Sequence, residues 1–283
     1  MMEIVSGIEQ VRAVRRAGAG QSWGLVPTMG ALHEGHLSLV RRARAENERV
    51  AVSVFVNPTQ FNNPDDLSAY PRDLDRDADL LAAEGVDLVW APSEGDMYPP
   101  GYQTTVEVGE VTQPLEGAHR PGHFKGVTTV VAKLFNVIQP TVAYFGQKDA
   151  QQVVTIRQMV RDLNFPLELR VCPIVREPDG LALSSRNAHL NPAERAAATA
   201  LHRALSAAVA EWEAGRTEAD HLRETMAATL AGETLARPEY VSAADPTTLQ
   251  ELGGPVEAGL LSMAVYVGET RLIDNMLVGR EEL

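Results

Sequence analysis

Five short apolar runs alternate with helical patterns across the first two thirds of this 283-residue chain, and that alternation restricts its fold more than any other feature. Runs at 23–26, 50–56, 86–91, 142–145 and 167–175 read as strands, and stretches near 36–47, 74–84, 126–138 and 150–163 carry apolar residues at helical spacing. Strand and helix in alternation predict βαβ units and a mainly parallel sheet. In such sheets ligands lie at the carboxyl ends of the strands, so the loops that end the apolar runs are expected to share one pocket. Composition shifts after Asn187: Asn191-Pro192 caps an alanine-rich helical stretch running to Gly215, a second helix covers 217–230, and short strands follow at 240–243, 262–267 and 271–274. The expected architecture is α/β, a Rossmann-like parallel-sheet domain over 1–184 and a smaller α+β domain over 185–283, hinged near Ser185–Leu190.

Charge and cysteine usage remove whole classes of function. Lys and Arg number 25 against 38 Asp and Glu, a formal charge of −13, so a broad basic surface for nucleic acid is not expected. Cys172 is the single cysteine, which excludes an intrachain disulfide and a cysteine-based zinc site; within Leu167–Val175 it reads as a small buried filler. The first residues carry acids where a signal peptide needs a basic start, and no run of about eighteen apolar residues occurs. The expectation is a cytoplasmic protein without a membrane partner.

The segment Val26–Val40 moves from a strand into a helix within a few residues. Gly30 and Gly35 let backbone approach a bulky anion, and the new helix offers N–H groups toward negative charge. His33 and His36, three apart, can face one phosphate chain as donors able to become cationic. Alternatively they form a metal pair or are helix-end polar residues.

Four other loops follow apolar runs. Asn57 and Gln60 offer carboxamides to a small substrate's oxygens, although Asn57 could equally make an Asx turn before Pro58. In Gly146-Gln147-Lys148-Asp149, Lys148 suits a phosphate as a point charge, while Asp149 either caps the next helix or takes a ribose hydroxyl. Ser184, Ser185 and Arg186 can reach leaving phosphates from the hinge; the alternative is a solvated linker arginine. Arg120 is the best carboxylate binder of the segment 116–126, where His119 and His123 read as structural. The acids Asp73, Asp75, Asp77 and Asp79 do not share one helix face and read as dipole compensation or solubilising charge.

In order and with fitting spacing, PTMGALHEGH (27–36), FVNPTQF (55–61), AYPRD (69–73), RPGHFKGV (120–127), FGQKDAQQ (145–152) and LSSRN (183–187) closely resemble the pantothenate synthetase family, the pantoate–β-alanine ligases of the H-x-G-H nucleotidyltransferase superfamily. Leu183 and Thr59 stand where family members often have methionine. The resemblance covers nearly the whole chain and implies ATP-dependent joining of pantoate to β-alanine through a pantoyl adenylate, with Mg2+ accompanying ATP, in a homodimer. It implies catalytic roles for His33, His36, Lys148 and Arg186. It also implies an ATP site made by Met29, Gly30, Ala31, Leu32, His33, Glu34, Gly35 and His36, by Gly146, Gln147, Lys148 and Asp149, and by Val175, Leu183, Ser184, Ser185 and Arg186. Gln60 and Gln152 would hold pantoate, with Gln60 also meeting β-alanine, and Asn57 and Arg120 complete the expected substrate set. Protein ligands of the metal are not assigned. The rivals are a transferase that leaves a nucleotide on its product and a nucleotide sensor without turnover; the carboxamide pair and the C-terminal lid fit ligation better.

Overall fold

Leu25 and Val26 on one strand and Val50, Ala51 and Val52 on the next have no exposed surface, the mark of a sheet covered on both faces. The computed structural model describes residues 2–283 and places these strands in a six-stranded sheet. Its members are β1 (Glu3–Val5), β2 (Trp23–Thr28), β3 (Arg49–Val54), β4 (Leu88–Trp90), β5 (Val142–Gly146) and β6 (Glu168–Cys172), in the order β1-β4-β3-β2-β5-β6. Every pairing is parallel, with Leu25 opposite Ala51 on one side and Ala143 on the other. From β2 the chain winds outward through β3 to β4 and then returns to lay β5 against the other edge of β2. The junction of β2 and β5 is therefore the topological switch point, where the carboxyl ends open a crevice for ligands.

The parallel sheet and its alternation are as the sequence reading expects. Three local differences have plain causes. The run 167–175 pairs only as far as Cys172, because Pro173 has no N–H for the ladder. The stretch 191–215 is two helices, Pro192–Ala197 and Ala200–Glu213. Before Trp23, where the sequence reading assigns no element, lie β1 and the helix Ile8–Ala17. A three-residue strand with two exposed side chains carries too little pattern to recognise.

The chain divides into two compact units. The first holds residues up to Gly109, Arg120–Gly146 and Thr155–Cys172; the second holds Glu110–His119, Gln147–Val154 and Pro173–Leu283. In the first, Val26, Val40, Ala43, Val50, Val52, Leu81, Val89 and Cys172 pack as one core. Cys172 is buried there, as a small filler would be. The second has a three-stranded antiparallel sheet of β7 (Ala236–Ala244), β8 (Gly259–Val267) and β9 (Thr270–Val278), in that order. Against it pack Ala200, Ala204, Leu205 and Ala208 of one helix and Leu222, Met226 and Leu230 of the helix Ala219–Ala231. The alanines allow close approach, which explains the composition shift seen in the sequence. Among the described residues no helix is long and apolar enough to cross a membrane.

Candidate active site

At the carboxyl end of β2 the chain enters the H-x-G-H loop, and its backbone is held from inside the protein. Thr28 Oγ1 donates to Ser53 O at 2.8 Å and accepts from Gly30 N at 3.2 Å. The carboxylate of Asp77, fully buried, accepts from Ala31 N at 2.8 Å and Leu32 N at 2.9 Å. Gly30 has φ +81°, and a Cβ there would stand 2.9 Å from Asp77 Oδ2, so glycine is required both by conformation and by the carboxylate beside it.

The helix Glu34–Glu46 begins with a reciprocal cap made by the two histidines. His33 Nδ1 accepts from Gly35 N at 3.1 Å, and His36 Nδ1 accepts from His33 N at 3.3 Å; the ring centroids lie 4.1 Å apart. A ring nitrogen that accepts an N–H carries no proton, so each neutral imidazole bears its proton on Nε2 and is a hydrogen-bond donor there. This corrects the sequence reading in one respect. The N–H groups of Ala31, Leu32 and Gly35 are bonded to Asp77 and His33, so what distinguishes the loop is a pair of oriented imidazoles. Leu32 is a core residue, 1% exposed, whereas Glu34 is exposed and ion-paired with Arg41.

Asp77 is the residue that sequence reasoning missed. That reasoning groups it with a solubilising acidic run, yet it lies beside Ala78 and four residues before Leu81, on the buried apolar face of the helix Leu74–Ala83. A charge at a core position needs a partner, and the loop's N–H groups supply it.

After β3 comes the turn Pro58–Gln60. Asn57 is 1% exposed; its Nδ2 donates to Gln60 Oε1 at 3.1 Å and Gly126 O at 3.2 Å, and its Oδ1 accepts from Tyr98 Oη at 2.8 Å and Thr59 Oγ1 at 2.9 Å. Burial pushes the Tyr98 phenol up, which keeps it a donor. Asn57, expected as a substrate contact or an Asx turn, is buried here and holds Gln60. Gln60 Nε2 lies 3.2 Å from Met29 Sδ, which joins this loop to the start of the H-x-G-H segment. Arg120 Nη2 and His123 Nδ1 meet Gln60 O at 3.4 and 2.8 Å. The helix His123–Ile138 approaches so closely that a Cβ on Gly126 would stand 2.5 Å from Thr59 O. Thr59 and Gly126, with Tyr98, Tyr102, Lys125 and Thr129, also line a cavity of about 420 Å³, and none of the residues read as nucleotide contacts lines it.

The other candidates belong to the second unit, except Gly146, which ends β5. Gln147–Asp149 forms a 3-10 turn leading into the helix Ala150–Asp162. Lys148 and Gln152 are half-buried and Asp149 is exposed. Between them in sequence, Gln151 is buried and donates to Val111 O and Pro114 O at 3.0 and 2.8 Å, so the adjacent glutamines have separate surroundings. Leu183 N donates to Val175 O at 3.0 Å, pairing the two expected apolar contacts. Ser184 Oγ accepts from Arg186 N at 3.3 Å and caps the 3-10 helix Ser185–His189, in which Ser185 and Arg186 are half-buried. A further knot was illegible in the sequence: buried Glu116 pairs with Arg271 at 2.8 Å on both oxygens, across 155 residues. Among the described residues no group of three or more His, Cys, Asp and Glu side chains is gathered as a metal site.

Comparison with known proteins places nearly the whole chain in one family. The pantoate–β-alanine ligase family model matches residues 3–277. The pantothenate synthetase of Roseiflexus castenholzii is 59% identical over 98% of this chain and 99% of its own; that of Moorella thermoacetica is 53% identical over 98% and 99%. Among solved structures, the pantothenate synthetase of Thermus thermophilus superposes with a TM-score of 0.92 at 47% identity, covering 97% of this chain and 99% of that one. The pantoate–β-alanine ligase of Francisella tularensis, solved with β,γ-ATP and β-alanine, gives 0.82 at 39% identity over 98% of each chain. This chain belongs to the pantoate–β-alanine ligase family.

Proposed function

We propose that the chain condenses (R)-pantoate with β-alanine at the expense of ATP, giving pantothenate, AMP and pyrophosphate through a pantoyl adenylate. The observation that carries the reading is the H-x-G-H loop at the switch point, with both imidazoles fixed as Nε2–H donors, in a member of this family. The Francisella relative's complex with an ATP form and β-alanine supports the same substrates here.

The chemistry follows from charge. Pantoate's carboxylate is a poor acyl donor and attacks a crowded polyanion, so adenylation needs donors aimed at the phosphates. In the first unit His33 and His36 serve as such donors, and His36 is the candidate for protonating the leaving oxygen. In the second unit Lys148 contributes a point charge and Arg186 a fork of N–H groups. Gln60 and Gln152 give carboxamides to pantoate's oxygens, and Asn57 holds Gln60 in place. Mg2+ would enter with ATP as part of the substrate and would offset part of the triphosphate's charge. β-Alanine's amine then attacks the activated acyl carbon, and AMP leaves.

The same reading includes a cytoplasmic homodimer, as family members form, and a division at 184/185 with Ser185–Leu190 as a hinge. Analytical ultracentrifugation reads the first, and limited proteolysis with and without ATP plus pantoate the second. The decisive experiment is product analysis from ATP and pantoate with and without β-alanine. Pyrophosphate should form with pantoate alone in a single turnover, and AMP should appear only when the amine is added. A nucleotide retained on the final product would overturn the reading in favour of a simple transferase.

A further inference from the structure

Asn275, on β9 and 3% exposed, turns its carboxamide onto the backbone of the Lys148 turn. Its Nδ2 donates to Gln147 O and to Lys148 O, both at 3.0 Å, and its Oδ1 accepts from Gln147 Nε2 at 3.2 Å. One side chain thus satisfies two successive carbonyls of a 3-10 turn and also grips the first side chain in it. Asn275 is itself braced. Asp274, also 3% exposed, accepts from Asn275 N at 2.8 Å and forms a two-point ion pair with Arg176, at 2.6 Å to Nη1 and 2.9 Å to Nη2. Arg176 donates onward to Gly180 O at 3.0 Å and Asn275 O at 3.3 Å. All these residues lie in the second unit.

Buried polar groups at this density rigidify what they bond. The turn they bond is the one whose lysine is assigned to phosphate charge, and a flexible ammonium on a four-carbon stem is only as well placed as its Cα. We infer that Asn275, locked by the Asp274–Arg176 ion pair, is a positioning residue that sets the Lys148 ammonium for adenylate formation. The inference rests on the reading of Lys148 given above. Asn275 has no part in holding substrate; its effect passes through the turn.

The test is a double-mutant cycle on Asn275 and Lys148, read as single-turnover pyrophosphate release from ATP and pantoate, with KM for both substrates and thermal unfolding alongside. Asn275→Ala should slow adenylation about tenfold to a hundredfold while KM values stay within about threefold, since a displacement near 1 Å has effects of that size. In a Lys148→Ala background the same substitution should change the rate by less than about twofold, because nothing remains to be positioned. Asn275→Asp keeps the shape but turns an acceptor toward two carbonyl oxygens, and should lose as much rate as Asn275→Ala; the cycle is run with it if the alanine variant is recovered unfolded. Full additivity of the two substitutions, or a wild-type rate in the folded Asn275 variants, would overturn the inference and leave Lys148 standing. A wild-type rate in Lys148→Ala alone would overturn the reading of Lys148, and with it this inference.

Discussion

The two polar loops that follow β2 and β5 are held by opposite halves of the peptide unit. On the H-x-G-H loop a buried carboxylate takes backbone N–H groups, those of Ala31 and Leu32. At the Lys148 turn a buried carboxamide gives N–H groups to backbone carbonyls, those of Gln147 and Lys148. The difference matches what each loop presents. On the proposed reading, donors at 31 and 32 would compete with the imidazoles for an anion, and Asp77 occupies them. Carbonyls at 147 and 148 would offer negative dipoles beside the cation proposed for phosphate, and Asn275 bonds both of them. In both cases a distant buried residue leaves the side chain as what the loop offers.

If the loops serve one developing charge, deleting the side chain that each presents should have comparable and large effects. His36→Ala and Lys148→Ala should each lower single-turnover pyrophosphate release about a hundredfold or more, the usual cost of one preorganised donor. Stopped-flow detection of pyrophosphate measures it, and a near-normal rate in either folded variant breaks the symmetry between the loops.

Next in size is the anchor of the first loop. Asp77→Ala leaves two inward N–H groups without their acceptor and should cost about 3 kcal/mol in urea unfolding. Asp77→Asn keeps one acceptor oxygen and should lose roughly half of that. Equal stability of Asp77→Asn and wild type would show that the carboxylate's charge is not what holds the loop.

Gly126→Ala addresses a loop held partly by contact. The new Cβ would meet the backbone oxygen of Thr59 at 2.5 Å, so the 57–60 segment must shift. We expect a loss of about 1–3 kcal/mol in stability and weaker pantoate binding by calorimetry, with ATP binding retained; an unchanged pantoate affinity would detach Gln60 from the substrate. The smallest effect sets the baseline. Cys172→Ala, in the core at the end of β6, should cost about 1 kcal/mol or less and leave turnover unchanged, as judged by thermal unfolding and steady-state rates.

Periodicity in the sequence made the parallel sheet, its crossover helices and the later α+β segment legible, because a strand covered on both faces is a continuous apolar run wherever it occurs. The motif residues were legible for another reason: loops at strand ends need no core pattern, so polar residues there stand out. What stayed hidden depends on distance along the chain. Asp77 meets Ala31 from 46 residues away, Asn275 meets Lys148 from 127, and Arg271 meets Glu116 from 155. No local pattern announces such pairs. Asp77 alone left a trace, as an acid on an apolar stripe. Asn57 shows the reverse case: its position after a strand suggests a ligand contact or a turn, while its burial beneath Tyr98 and Gly126 is visible only in three dimensions.

The edge position of β1 has a consequence for synthesis. Glu3 pairs with Leu88, 85 residues further along the chain, and not with the strand that follows it in sequence. At roughly 5 to 20 residues per second a ribosome needs about 4 to 17 s to make that partner. Until then β1 lacks the strand it pairs with, while β2 and β3, closer in sequence, can already pair once residue 54 is made. Translation therefore delivers the sheet from its middle outward, and a chain arrested before residue 88 should carry a β2–β3 pair with β1 unpaired and open to protease until β4 arrives.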